Sequence, residues 1–162
     1  MTIREYRAQT DFDGLRRCVV ELQDYEYRID NRFPDGESIV DAYIPDILER
    51  CAQYDGRILV ADVGGEIAGY VMIWTKYSSG DIEDGDFVCG LLADLVVLEA
   101  HRGRGLGKAL MKAGEAYARD CGVTYLRVGV MAGNRMAWKL YEDQGFVQCH
   151  IELEKRLDTG SG

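Results

Sequence analysis

The residues best equipped for chemistry lie in one short stretch, Glu99-Ala-His-Arg-Gly-Arg-Gly-Leu-Gly-Lys-Ala, where Gly103, Gly105 and Gly107 recur every second position beside Arg102, Arg104 and Lys108. It follows a nearly continuous apolar run, Cys89–Leu98, and opens an amphipathic stretch with Leu106, Leu110, Ala113, Tyr117 and Cys121 on one stripe. A strand, a glycine turn and a helix in that order aim free backbone N–H groups and the positive end of a helix dipole at one point. Without side chains at the turn a phosphate can come close, and the three cations extend the attraction. The competing reading is a tight turn that glycine permits, with solvated arginines. Glycines inside a helix cost roughly 1 kcal/mol each relative to alanine, so their density asks for a compensating use.

The two common nucleotide motifs fail on residues. A P-loop needs glycine where Arg102 stands and a hydroxyl where Ala109 stands. A Rossmann turn read from Gly103 needs glycine where Lys108 stands. Charge still supports an anion site: Glu99–Lys139 holds 8 basic and 3 acidic side chains, inside a chain of formal charge −9. The deficit lies in residues 1–90, with 9 basic against 19 acidic groups. An acidic protein of this kind lacks the cationic face that nucleic acid or an anionic membrane requires, so neither is an expected partner.

The elements around the turn follow from periodicity. Thr2–Tyr6 reads as a short strand, and Thr10 with Asp13 as a capping-box-like start to a helix carrying Phe12, Leu15, Cys18, Val19, Leu22 and Tyr25. Ser38 and Asp41 open a second helix with Ile39, Tyr43, Ile47 and Cys51 on its stripe, which Pro45 is expected to kink or restart. Arg57–Val63 and Glu66–Lys76 form a hairpin through Gly64-Gly65. Tyr77–Phe87, with Asp81, Glu83, Asp84 and Asp86, reads as an exposed loop, and Cys89–Leu98 as a strand covered on both faces. After the helix capped by Gly122 come a strand at Tyr125–Val130, a helix at Asn134–Gln144 ended by Gly145, and a final strand at Phe146–Leu157. The fold class is therefore α/β of the α+β type, a single domain over 1–157 with a flexible tail at 158–162. Its sheet is mixed but mostly antiparallel, flanked by about four helices.

Two motifs in order carry a resemblance. Leu95-x-Val97 followed by Arg102-Gly-Arg-Gly-Leu-Gly107, then Asn134-x-x-Ala137-x-x-Leu140-Tyr141-x-x-x-Gly145-Phe146, is similar to the GNAT superfamily of N-acetyltransferases. The motifs span about 55 residues of this chain. The resemblance implies acetyl-CoA as donor and direct transfer of its acetyl group to a primary amine in a ternary complex. It places the pyrophosphate on the N–H groups of Arg104, Gly105, Leu106, Gly107 and Lys108, beside Arg102 and Gly103, with the pantetheine along Leu95, Val96 and Val97. It also makes Asn134 a cofactor contact or a helix cap, Tyr141 the general acid toward the thiolate as well as a cofactor neighbour, and a backbone N–H near Val97 the oxyanion donor. On spacing alone Tyr141 also fits an aromatic cluster with Trp138 and Phe146.

The chain departs from the family in three places. Glu99 stands where proline is common, which should affect only the turn. The C-terminal part is short for a two-strand hairpin. Related enzymes often place a glutamate on the strand before the turn, whereas Leu91 and Ala93 occupy the alternate positions here. Asp94 is the one carboxylate in that strand; simple alternation turns it away from Ala93, and it is the candidate base or water relay. Tyr25, Glu26 and Asp30 are further acceptor-side candidates, and ordered water alone can also take the proton. Because the acidic half covers the acceptor side of the family, a cationic amine is the expected acceptor: a polyamine, an aminoglycoside-like amine, or a basic peptide amine. The alternative is a catalytically weak acyl-CoA-binding or regulatory module of the same fold.

Five cysteines about 30 residues apart without a C-x-x-C pair suit reduced thiols and a cytoplasmic location. With only His101 and His150 available no metal site is expected. The charged N-terminus and the lack of a long apolar run argue against secretion and membrane insertion. A homodimer is compatible with the resemblance.

Overall fold

A computed structural model describes residues 1–157; the tail expected at 158–162 lies outside them. Compactness divides the chain into two units, Met1–Met131 and a second from Ala132 onward.

The first unit is built on a five-stranded sheet in the order β1-β2-β3-β4-β5. The strands are β1 (Thr2–Glu5), β2 (Arg57–Val63), β3 (Glu66–Tyr77), β4 (Cys89–Val97) and β5 (Leu126–Val128). The first four pair antiparallel and β5 joins β4 in parallel, so the sheet is mixed and mostly antiparallel as expected. Helices α1 (Ala8–Ile29) and α2 (Gly36–Gln53) cover one face through Leu15, Val19, Val40 and Ile44, which pack with Val60, Tyr70 and Met72. Helix α3 (Leu106–Asp120) takes the other face, where Gly114 sits so close to Val71 and Ile73 that a Cβ would lie 2.8 Å from Ile73.

The helix starts differ from the sequence reading. Thr10 does not cap α1. The helix begins at Ala8, and Asp11 accepts the Arg7 N–H at 2.8 Å. Asp11 is 2% exposed and is held by both terminal nitrogens of Arg4 on β1, at 2.6 and 2.9 Å, while Arg4 also bonds Asp62 on β2. This acid at the helix start therefore ties three elements together. Likewise Asp35, not Ser38, caps α2 by accepting the Ser38 N–H. That helix runs unbroken through Pro45; one carbonyl, that of Asp41, loses its partner on an exposed face, which water can satisfy.

Two expectations outside the helices are refined or corrected. The loop over 77–87 contains one 3-10 turn, Ile82–Asp84. The final strand at Phe146–Leu157 is absent: the segment has the alternation, but Val147 is 86% and Leu153 90% exposed. Alternation makes a segment competent to pair; a strand exists only where its backbone meets a ladder. In the second unit, α4 (Arg135–Asp143) is the one helix among the described residues, followed by Gly145 at φ +88°.

Candidate active site

Strand β4 is irregular where the site is expected. Met72 pairs with Asp94 and Ile73 with Leu92, which leaves Ala93 as the extra residue of a β-bulge. A bulge places two successive residues on one side. Ala93 packs on the α1/α2 core, and Asp94, paired with Met72 of that same core, faces it too. Asp94 therefore does not face away from Ala93, and simple alternation fails at this point.

The bulge also separates β4 from β5. β4 pairs with β5 only from Gly90 to Leu92, whereas its pairing with β3 continues to Val97. Leu98 donates its N–H to Ala68 on β3; by alternation the N–H groups of Leu95 and Val97 point the other way, along the edge β5 has left. The Val97 carbonyl on that side accepts from Arg102 Nε at 2.9 Å.

This edge runs into the glycine turn. Gly103 and Gly105 have φ of +74° and +79°, and no atom lies within 4 Å of a Cβ built on either. Gly105 is the N-cap of α3 and supplies no side-chain acceptor, nor is there an acidic residue in the first turn. The first N–H groups of α3 thus have no side-chain cap and adjoin the open space at Gly103 and Gly105, the environment an anion needs. Arg104 and Lys108 are exposed at its rim. Arg102 points inward: besides Val97 its guanidinium donates to Glu21 on α1 at 2.7 Å and lies over the Tyr25 ring. Glu21 accepts the Glu99 N–H with the same oxygen, at 2.7 Å. The glutamate at 99 thus does more than shape the turn, since a proline there has no N–H to give.

Asp94 is 8% exposed and bridges two phenols. The fully buried Tyr70 donates to Oδ2 at 2.8 Å, and the half-buried Tyr43 of α2 lies 3.2 Å from Oδ1 and 3.4 Å from Oδ2. Burial raises the Asp94 carboxyl above the usual range, only partly offset by the two donated bonds. Burial and then the charge of Asp94 raise Glu26 on α1 in the same direction. Both phenols are pushed up by burial and by Asp94. Tyr43 was legible in the sequence only as a core position of a helical stripe, because nothing in the spacing announces its partner 51 residues on.

The second unit holds the other two candidates. Asn134 caps α4 by accepting the Ala137 N–H at 3.0 Å. Tyr141 is 8% exposed, its ring edge-on to Phe146 at 5.6 Å. The aromatic packing anticipated for Tyr141 is present, with Phe146.

Among the described residues no group of His, Cys, Asp or Glu is arranged to hold a metal ion, and no helix is long and apolar enough to cross a membrane. A cavity of about 300 Å³ lined by Arg16, Arg17, Glu21 and Glu37 lies apart from Asp94, and Arg16 there is paired with Glu37.

A strand that parts from its neighbour, followed by an open glycine turn on a helix N-terminus, is the architecture of an acyl-CoA-dependent acetyltransferase fold. The sequence pattern of the Acetyltransferase (GNAT) family matches residues 19–146, and the chain belongs to that family. It is 30% identical over 97 residues to the uncharacterized N-acetyltransferase YhfO of Bacillus subtilis, covering 60% of this chain and 62% of that protein. It is 29% identical to an N-alpha-acetyltransferase of Sulfurisphaera tokodaii over 78% of this chain and 83% of the relative. The fold is shared with a mutant of the BH1408 protein from Bacillus halodurans, with a TM-score of 0.80, 21% identity, and 97% and 99% of the two chains covered.

Proposed function

We propose that the protein is an acetyl-CoA-dependent N-acetyltransferase that moves the acetyl group directly to a primary amine, with a cationic acceptor favoured. The observation that carries this reading is the run from the bulge at Ala93 to the uncapped start of α3. It offers outward N–H groups at Leu95 and Val97 and then open space at Gly103 and Gly105 beside the positively polarised start of α3. Acetyl-CoA supplies the acetyl group as a thioester. The backbone N–H groups of Arg104–Lys108 hold its pyrophosphate, Arg102 fixes the turn that presents them, and Leu95–Val97 orients the pantetheine. The Val97 N–H stabilises negative charge as it develops on the acetyl oxygen.

Two proton transfers complete the reaction. Tyr141 gives a proton to the departing sulfur; a phenol near pKa 10 suits a thiol near 8.5 to 10. Asp94 takes the proton from the amine, and its raised pKa brings it nearer the working range of a base. Glu26 and the acidic groups of α1 favour a cationic acceptor. None of the five cysteines forms a disulfide, which suits a reducing compartment such as the cytoplasm.

A second reading has its own observation: both oxygens of Asp94 already accept from tyrosines, as they would in a binding module without turnover. A thermal-shift panel and a thiol-release assay decide. Stabilisation by CoA and acetyl-CoA but not by ATP or NAD, followed by thiol release that depends on an added amine, is the expected result. Stabilisation without release favours the binding module, and no response to CoA rejects both.

A further inference from the structure

The sheet face under α1 and α2 contains a polar arrangement that core packing does not require. Tyr43, Tyr70 and Asp94 come from α2, β3 and β4, and all three polar groups meet within hydrogen-bond distance. Tyr70 is fully buried behind the carboxylate, so one side of Asp94 is closed. Asp94 itself is nearly buried, which leaves little room for an amine to touch it. Tyr43 is only half-buried, and its hydroxyl reaches both carboxylate oxygens, at 3.2 and 3.4 Å.

We propose that Tyr43 relays the amine proton to Asp94. This rests on the acetyltransferase reading above. As the neutral amine nitrogen forms its bond to the acetyl carbon, the carbonyl π pair moves onto oxygen, the N–H proton passes to the Tyr43 oxygen and the Tyr43 hydroxyl proton passes to Asp94; the carbonyl then re-forms as the C–S bond breaks with its pair on sulfur. The electron pair of the N–H bond stays on nitrogen, Tyr43 ends neutral, and Asp94 ends protonated. Because neither proton moves alone, Tyr43 never becomes a free phenolate, a state its burial beside a carboxylate strongly disfavours. Tyr70 is a positioning residue: its 2.8 Å bond fixes Oδ2, and Tyr43 lies nearer Oδ1, at 3.2 against 3.4 Å.

The test uses the full chain and the amine giving the fastest thiol release from acetyl-CoA in a panel of spermidine, kanamycin and lysine-rich peptides. Initial rates are measured in mixtures of H₂O and D₂O. Two protons in flight give a curved dependence of kcat on deuterium fraction in the unmodified protein; a straight line overturns the relay. Tyr43→Phe keeps the ring in its place and is expected to lower kcat about a hundredfold, with little change in stabilisation by CoA. Unchanged turnover in Tyr43→Phe while Asp94→Asn is inactive overturns the relay but keeps Asp94 as the base. Unchanged turnover in Asp94→Asn removes the base assignment itself, and thiol release with none of the amines rejects the relay together with the acetyltransferase reading it rests on.

Discussion

Oε1 of Glu21 accepts from the guanidinium of Arg102 at 2.7 Å, and this bond joins the first helix to the glycine turn. The same oxygen receives the Glu99 N–H, and the other side of Arg102 reaches the Val97 carbonyl. One carboxylate thus holds the end of β4, the turn and α1 in register. Glu21→Ala should release the turn and raise KM for acetyl-CoA about tenfold, equivalent to about 1.4 kcal/mol, with a smaller change in kcat. Arg102→Ala should do the same, and the double variant should cost less than the sum of the two single ones, because both remove the Arg102–Glu21 bond. Additive losses in steady-state kinetics would show that Arg102 acts on the phosphates independently of Glu21.

Gly105 separates backbone strain from anion binding. Its φ of +79° disfavours any L side chain, by roughly 1 kcal/mol for alanine, yet the space around an added Cβ is open. Gly105→Ala should therefore fold, with a melting temperature lowered by only a few degrees. Gly105→Glu puts bulk and negative charge over the uncapped N–H groups and should abolish stabilisation by CoA in a thermal-shift titration. If CoA still stabilises Gly105→Glu, the pyrophosphate lies elsewhere.

Most of the fold was readable because it depends on local rules. The Gly64-Gly65 hairpin, the stripe of α3 and the glycine-spaced turn follow from positive φ or from period, and each stands where the sequence places it. What escaped depends on partners distant in sequence. The bulge at Ala93 leaves no mark in an apolar run, yet it decides which way Asp94 faces. Asp11 drew no notice beside Thr10 and Asp13, yet it is the buried partner of Arg4. The alternation in 146–157 announced a strand, but no ladder in the described residues receives it. The site divides in the same way: the turn could be seen in consecutive residues, whereas the Tyr43–Tyr70–Asp94 group joins three elements far apart in the chain.

Tyr141 offers a hydroxyl whose loss should affect chemistry more than folding. Its ring packs edge-on to Phe146, and phenylalanine keeps that contact. Tyr141→Phe should lower kcat by about a hundredfold or more, with CoA affinity nearly unchanged. Turnover equal to that of the unmodified protein would withdraw Tyr141 as the acid and leave it a packing residue.

Asp94 and Asp11 should affect stability with opposite signs as pH changes. Arg4 holds Asp11 well below the usual carboxylate range, so Asp11 contributes stability above its unfolded pKa of about 3.9 and loses it as pH falls. Burial raises Asp94, so its contribution is complete below that unfolded value and is lost as pH rises through the folded one. An ionised Asp94 is thus a cost to folding. Asp94→Asn keeps the shape and an acceptor oxygen for the tyrosines while removing the charge. Its melting temperature should match the unmodified protein near pH ~3.5, below the unfolded carboxylate pKa, and exceed it increasingly toward neutral pH, where each ~3 °C corresponds to roughly 1 kcal/mol in a domain of this size. A variant that is less stable at neutral pH instead would show that the two tyrosines need the full carboxylate, making Asp94 a structural anchor before it is a base.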